Sequence, residues 1–195
     1  MKRNHLLVTL TLLTGSLAVK AQDLKLLQGD IAPLKSESSF AILFSYDHMT
    51  VGKYSNEQDY IDKHKADLNA KEPGRGDQWA KTWVDDRGNS FEPKFKELFT
   101  KYSSTTVSKD AKYTLIFKTT FTEVGFEGYG FVRKNASING EAWFVETADT
   151  SHVIARISVQ NAPGRGAMGY DYDTGLRIQE AYAMAGRALG KYIRK

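Results

Sequence analysis

The chain contains no cysteine. That excludes disulfides, thiol catalysis, thiolate metal sites and a lipid-modified cysteine behind a leader. Any fold reached outside the cytoplasm must then rest on its core alone. Proline is scarce, at 4 of 195 residues, and no composition shift marks a domain linker. Close-spaced histidine ligands such as HExxH are missing, and so is the GxSxG turn of serine hydrolases. After Val19 there is no apolar run of the roughly twenty residues that a bilayer crossing needs.

What the chain does have begins at its start. Met1-Lys2-Arg3 is basic, Leu6 to Val19 is dominated by Leu, Val, Thr and Ala, and Val19-Lys20-Ala21 sets small residues around a cleavage point. This three-part pattern predicts a signal peptide over 1–21 and a mature protein starting at Gln22. The expected location is the periplasm or the extracellular space, and the protein is not a lipoprotein. The leader also carries the charge imbalance. Its three bases, Lys2, Arg3 and Lys20, come with no acid, so removing them takes the net charge from +4 to +1. Global charge therefore gives no support for a nucleic-acid partner.

Residues 22–195 suit one domain. Phe40-Ala41-Ile42-Leu43-Phe44 is uniformly apolar and predicts a central strand buried on both faces. Ser55 with Gln58 reads as a capping box for a helix to about Ala70, with Tyr60, Ile61, His64 and Leu68 on one face. Asp77 predicts the next N-cap, Gly88-Asn89 interrupts that segment, and Phe91, Phe95, Leu98, Phe99 and Tyr102 mark a further helix. From Lys112 the apolar period becomes two. Strands are expected to about Val124, over 135–147 and over 152–160, the last two joined as an antiparallel hairpin. A closing helix runs from Leu176 to about Ile193, where Gly186 and Gly190 suit close packing of helix on sheet. The expected fold is α/β or α+β, order β-α-α-β-β-β-α, with a mixed sheet of four or five strands and three to four helices.

Chemistry-bearing positions are few. Pro-Gly-Arg-Gly occurs at 73–76 and again at 163–166, and each copy predicts a type II turn with its arginine facing solvent. Arg75 and Arg165 could converge on an anion if both turns lie at one end of the fold, which depends on whether 77–101 is one rod or reverses at Gly88-Asn89. The loop after the last strand also carries Tyr170, Asp171 and Asp173, and His48 follows the first strand, where α/β proteins place ligands. A calcium loop counted from Asp171 fails, because its sixth and twelfth positions are Leu176 and Tyr182. Asp173 or Thr174 reads instead as a helix cap. Gly125, Gly128 and Gly130 follow a strand without opening a helix, so they do not form a phosphate loop. Phe126, Tyr129 and Phe131 crowd the same stretch and suggest a partner surface.

The segments GRGDQWAKTW, EPKFKELF and PGRGAMGYDYDTGLRIQEAYAMAGRALGKYI resemble a group of secreted, uncharacterised proteins from Bacteroidota. At the level of element order the chain is also similar to envelope domains of the curli-secretion-subunit type. These resemblances imply export and an α/β fold, and they supply no catalytic residue, cofactor or metal. Two functions follow. One is a non-enzymatic envelope or secreted module binding a protein or glycan partner through the aromatic stretch. The other is a domain for a small anionic ligand, or a hydrolase, built on the 161–175 loop.

Overall fold

The computed structural model describes residues 22–127, 133–165 and 174–195. One mixed sheet of seven strands carries the fold: β1 (Asp23–Gly29), β2 (Ser39–Ser45), β3 (Thr50–Val51), β4 (Thr106–Val107), β5 (Tyr113–Glu123), β8 (Ser137–Glu146) and β9 (Val153–Pro163). Their order is β1-β9-β8-β5-β2-β4, with β3 beside β5. A separate two-stranded ribbon joins β6 (Phe126–Glu127) to β7 (Arg133–Lys134). The mixed α/β class stands, but seven sheet strands replace the expected four or five. The lead-in at 22–38 supplies β1, which has alternating exposure and pairs antiparallel with β9.

β2 and β3 are two halves of one path along β5. Ala41–Ser45 pair in parallel with Thr114–Lys118, and Thr50–Val51 then pair with Phe121–Thr122. The break between them contains His48 at φ 60°. β5, β8 and β9 follow as antiparallel neighbours, the β8–β9 hairpin among them as expected. Val51, Glu123, Ser137 and Pro163 therefore share one end of the sheet, called here the upper end.

Four helices follow from local signals: α1 (Glu57–Lys71), α2 (Arg75–Asp86), α3 (Glu92–Ser103) and α4 (Thr174–Tyr192). Asn56, rather than Ser55, caps α1 by accepting from Asp59 N at 2.8 Å. Gly74, in the left-handed region at φ 85°, replaces Asp77 as the residue that starts α2. Gly88-Asn89 does not break the next segment. A π-helical turn at Arg87–Phe91 absorbs it and keeps α2 and α3 continuous.

α3 and α4 lie side by side in the same direction on one face of the sheet. Phe95, Phe99 and Ser103 face Gly186, Gly190 and Arg194 in turn. The glycine pair thus serves helix-on-helix contact, not the expected helix-on-sheet contact. A Cβ on Gly186 would stand 2.3 Å from Phe95 O, and one on Gly190 2.6 Å from Phe99 O. Between this layer and the sheet sit Phe40, Phe95, Phe99, Leu115, Phe117, Phe144 and Tyr182, all fully buried. Phe40 meets Phe99 and Phe144 edge-on at 5.7 and 5.6 Å, a geometry that adds to plain area burial.

Among the described residues no helix lies over the opposite face of the sheet, and β2 is not buried on both sides: Leu43 is 55% exposed. Its cover is made by side chains of the strands. The Trp143 ring lies beneath the Lys118 ammonium at 3.4 Å and the Arg156 guanidinium at 4.3 Å. Glu141 accepts from Trp143 Nε1 and from Arg156, each at 2.8 Å. Among the described residues no helix is long and apolar enough to cross a membrane.

Candidate functional site

α1 and α2 form a hairpin attached at the upper end of the sheet. α1 buries none of its residues fully, and packs mainly on α2. Gly76 is what permits that contact, because a Cβ there would stand 2.1 Å from Lys65 O. The hairpin's inner surface is aromatic. Tyr60 meets Trp83 at 5.0 Å and Trp79 at 5.7 Å, and His64 meets Trp79 at 4.2 Å. At its base Glu57 accepts from Trp83 Nε1 at 2.6 Å and pairs with Arg87, tying the start of α1 to the π-helical turn.

A cleft of about 410 Å³ opens where this hairpin meets the sheet. That volume lies within the range of small-ligand sites. Val51, Gly52, Lys53 and Tyr54 form one side, Tyr60 the helical side, and Glu123, Val124, Phe126 and Lys134 the other. Local chemistry explains the shape. Gly52 takes φ 55° and donates to Thr122 O at 2.9 Å, which turns the chain off the sheet and presents Tyr54 edge-on to Tyr60 at 5.6 Å. Gly125, at φ 71°, fits a gap in which a Cβ would stand 2.7 Å from Ala136 N. It bends the chain so that Phe126 is left 48% exposed at the rim.

The polar group on the floor is Glu123, whose side chain is 7% exposed. It forms an ion pair with Lys134 and accepts from Gly125 N at 3.2 Å. Behind it lies buried Arg177, which donates through Nε to Val124 O at 3.3 Å and through Nη2 to Thr174 Oγ1 at 3.2 Å. Burial, with Tyr54 adding to it, pushes the Tyr60 phenol up to about 12, so this wall is neutral at physiological pH. Among the described residues the lining holds a carboxylate, two ammonium groups and two phenols. Such a set can bind and orient a ligand.

Of the partner-surface residues, Phe126 lies in this cleft, while Tyr129 and Phe131 lie outside the described residues. Tyr170, Asp171 and Asp173 also lie outside them. Arg165 is exposed, and its backbone donates to Arg177 O at 3.3 Å and accepts from Ala136 N at 3.1 Å. The two Pro-Gly-Arg-Gly copies differ physically. The first is a type II turn, in which Arg75 N bonds Glu72 O at 3.2 Å across Gly74. The second is not a turn at Gly164, which lacks positive φ and donates to Ala136 O at 2.8 Å as a continuation of β9. Arg75 pairs with Glu72 at the tip of the hairpin, separated from the sheet by the roughly 22 Å that a 15-residue helix spans. The structure therefore does not bring Arg75 and Arg165 together. His48 is exposed in the β2–β3 break and does not line the cleft.

Tyr54, Tyr60, Glu123 and Lys134 were not singled out in the sequence as site residues. Strand alternation gave no signal for Glu123, because the register shift between Thr119 and Phe121 breaks the alternation of Tyr113, Leu115 and Phe117 and sets Glu123 opposite Ser137. Among the described residues no group of three or more His, Asp or Glu could hold a metal ion. No protein-family model matches the chain, and neither a curated protein nor a solved structure resembles it significantly.

Proposed function

We propose that the protein is an exported, non-enzymatic module of the cell envelope or secreted space that binds a protein or glycan partner through the upper-end cleft. The observation that carries this reading is the cleft itself, with aromatic walls, an apolar rim at Phe126 and the buried carboxylate of Glu123. Aromatic walls with a few placed polar groups are the usual composition of binding sites. The leader over residues 1–21 and the likeness to secreted proteins of Bacteroidota support export. The anionic-ligand or hydrolytic alternative draws less support, since Arg75 stands at the hairpin tip and the lining of the cleft includes neither Arg165 nor His48.

A photo-crosslinking amino acid at position 126, introduced in the producing cells, tests the reading. A discrete adduct is expected that is lost on Tyr60→Ala and does not form from position 149, in the exposed β8–β9 turn. Equal adducts from 126 and 149, or insensitivity to Tyr60→Ala, would overturn it. The N-terminus of the recovered protein is expected to be Gln22, and an intact leader would overturn the export half.

A further inference from the structure

We propose that the cleft accepts a lysine side chain from a protein partner, with Glu123 as its counter-ion and Lys134 as the resident group that it displaces. This rests on the reading of the cleft as a binding site, and it narrows the partner to a protein segment carrying an ammonium group on an apolar stem.

The floor supplies the counter-ion. Glu123 is a buried carboxylate, which requires a cation beside it. The walls set the shape. Tyr54, Tyr60 and Phe126 supply aromatic surface, which attracts ammonium groups electrostatically, while Val51 and Val124 match a chain of methylenes. Tyr60 keeps its phenol proton, so it adds no charge of its own to the wall.

The protein's own lysines already occupy these positions. Lys134 approaches from β7 and sets its ammonium on Glu123, with its side chain still 57% exposed. Lys53 stands 5.6 Å from the Tyr54 ring centre. Two intrinsic ammonium groups at one small cleft show what chemistry its surface favours. Lys134 regains water readily on release, because its side chain is already largely exposed. Removing Lys134 without a replacement would strand Glu123, which is the expensive state. An incoming lysine avoids that state by exchange, ammonium for ammonium, and adds contact with the aromatic walls. A neutral guest has no such exchange available and must share the cleft with Lys134.

The experiment uses residues 22–195, amide-resolved NMR and three probes: the blocked tripeptide Ala-Lys-Ala, its norleucine counterpart and n-butylamine. Saturable shifts at Val51, Tyr54, Tyr60 and Val124 are expected with the lysine peptide, and affinity about tenfold or more weaker with norleucine. Lys134→Met is expected to strengthen lysine-peptide binding severalfold, because the internal competitor is gone. Glu123→Gln is expected to abolish the preference for lysine over norleucine. Lys134→Met leaves Glu123 unpaired, so the preference of the parent protein for the lysine peptide over the norleucine peptide decides the assignment if either variant does not fold. Equal affinity for lysine and norleucine peptides overturns the lysine assignment and leaves the cleft as a site for neutral partners. Unchanged or weakened binding by Lys134→Met overturns the exchange. Butylamine binding as tightly as the peptide overturns the protein partner in favour of free amines. No response to any probe, together with none to a panel of neutral oligosaccharides, overturns both this inference and the cleft as a binding site.

Discussion

Two glycines that look alike in the sequence have opposite consequences. Gly186 is pressed against the backbone of α3, with no room for a methyl group beside Phe95 O. Gly186→Ala must push α3 and α4 apart, and is expected to lower stability by about 1–3 kcal/mol. Gly88 sits in the π-helical turn without a positive φ, and a Cβ added there would meet nothing within 4 Å. Gly88→Ala is expected to raise stability by about 0.5–1 kcal/mol, because it restricts the unfolded chain without straining the folded one. Urea midpoints of the two variants moving in the same direction would contradict this pairing. Buried Tyr182 shows a third residue-level device. Its ring stacks on Phe91 at 5.2 Å while its hydroxyl meets Thr119 Oγ1 at 2.7 Å, satisfying the one polar atom of a side chain that the core needs for its volume.

The α1–α2 hairpin is the element with the least core of its own. Its stability comes from the aromatic stack of Tyr60, His64, Trp79 and Trp83 and from the Glu57–Arg87 tie at its base. His64 makes this element sensitive to pH. Burial against Trp79 lowers its pKa below the ordinary 6.5, so the folded hairpin binds its proton less readily than the unfolded chain does. The contribution of His64 is therefore present above about pH 6.5 and is lost as pH falls from there through the folded value. The thermal midpoint is expected to fall between about pH 7.5 and about pH 5.5. His64→Phe, which keeps a ring in the stack, is expected to flatten that fall. A variant with the same slope as the parent would mean that other groups set it.

At the scale of the molecule, the sheet face that no helix covers among the described residues is the departure from a closed sandwich. A row of cross-strand neighbours runs Leu43, Ile116, Trp143 and Arg156 over four strands. Trp143 is its anchor, covering the sheet while Lys118 and Arg156 lay their aliphatic stems and charges over its ring. Trp143→Ala is expected to cost about 1–3 kcal/mol, whereas Leu43→Ser, at a more exposed end of the row, should stay within about 0.5 kcal/mol. Chemical denaturation separates these values. A negligible cost at Trp143 would show that the face is covered by something other than its own side chains.

Local patterns in the sequence were enough to determine the mixed α/β class, the strands near 113–124, 135–147 and 152–160, the β8–β9 hairpin and the closing helix. Each of these depends on a period of two or of 3.6, or on a cap within a few residues, and such signals survive without tertiary context. Other features were decided only by the fold. β1 gains its place by pairing with β9 far along the chain, and β3 and β4 are too short to carry a pattern at all. The identical spelling of Pro-Gly-Arg-Gly gave a type II turn in the first copy and no turn at Gly164 in the second, because Glu72 O accepts across the first copy while Ala136 O accepts from Gly164 N in the second. The cleft was the least legible feature. Tyr60, Glu123 and Lys134 come from three separate elements and Tyr54 from the connection between β3 and α1, and only the crossing of the hairpin over the sheet end brings them together. Burial of Glu123, which gives the cleft its charge, is a property of that crossing and not of any local run of residues.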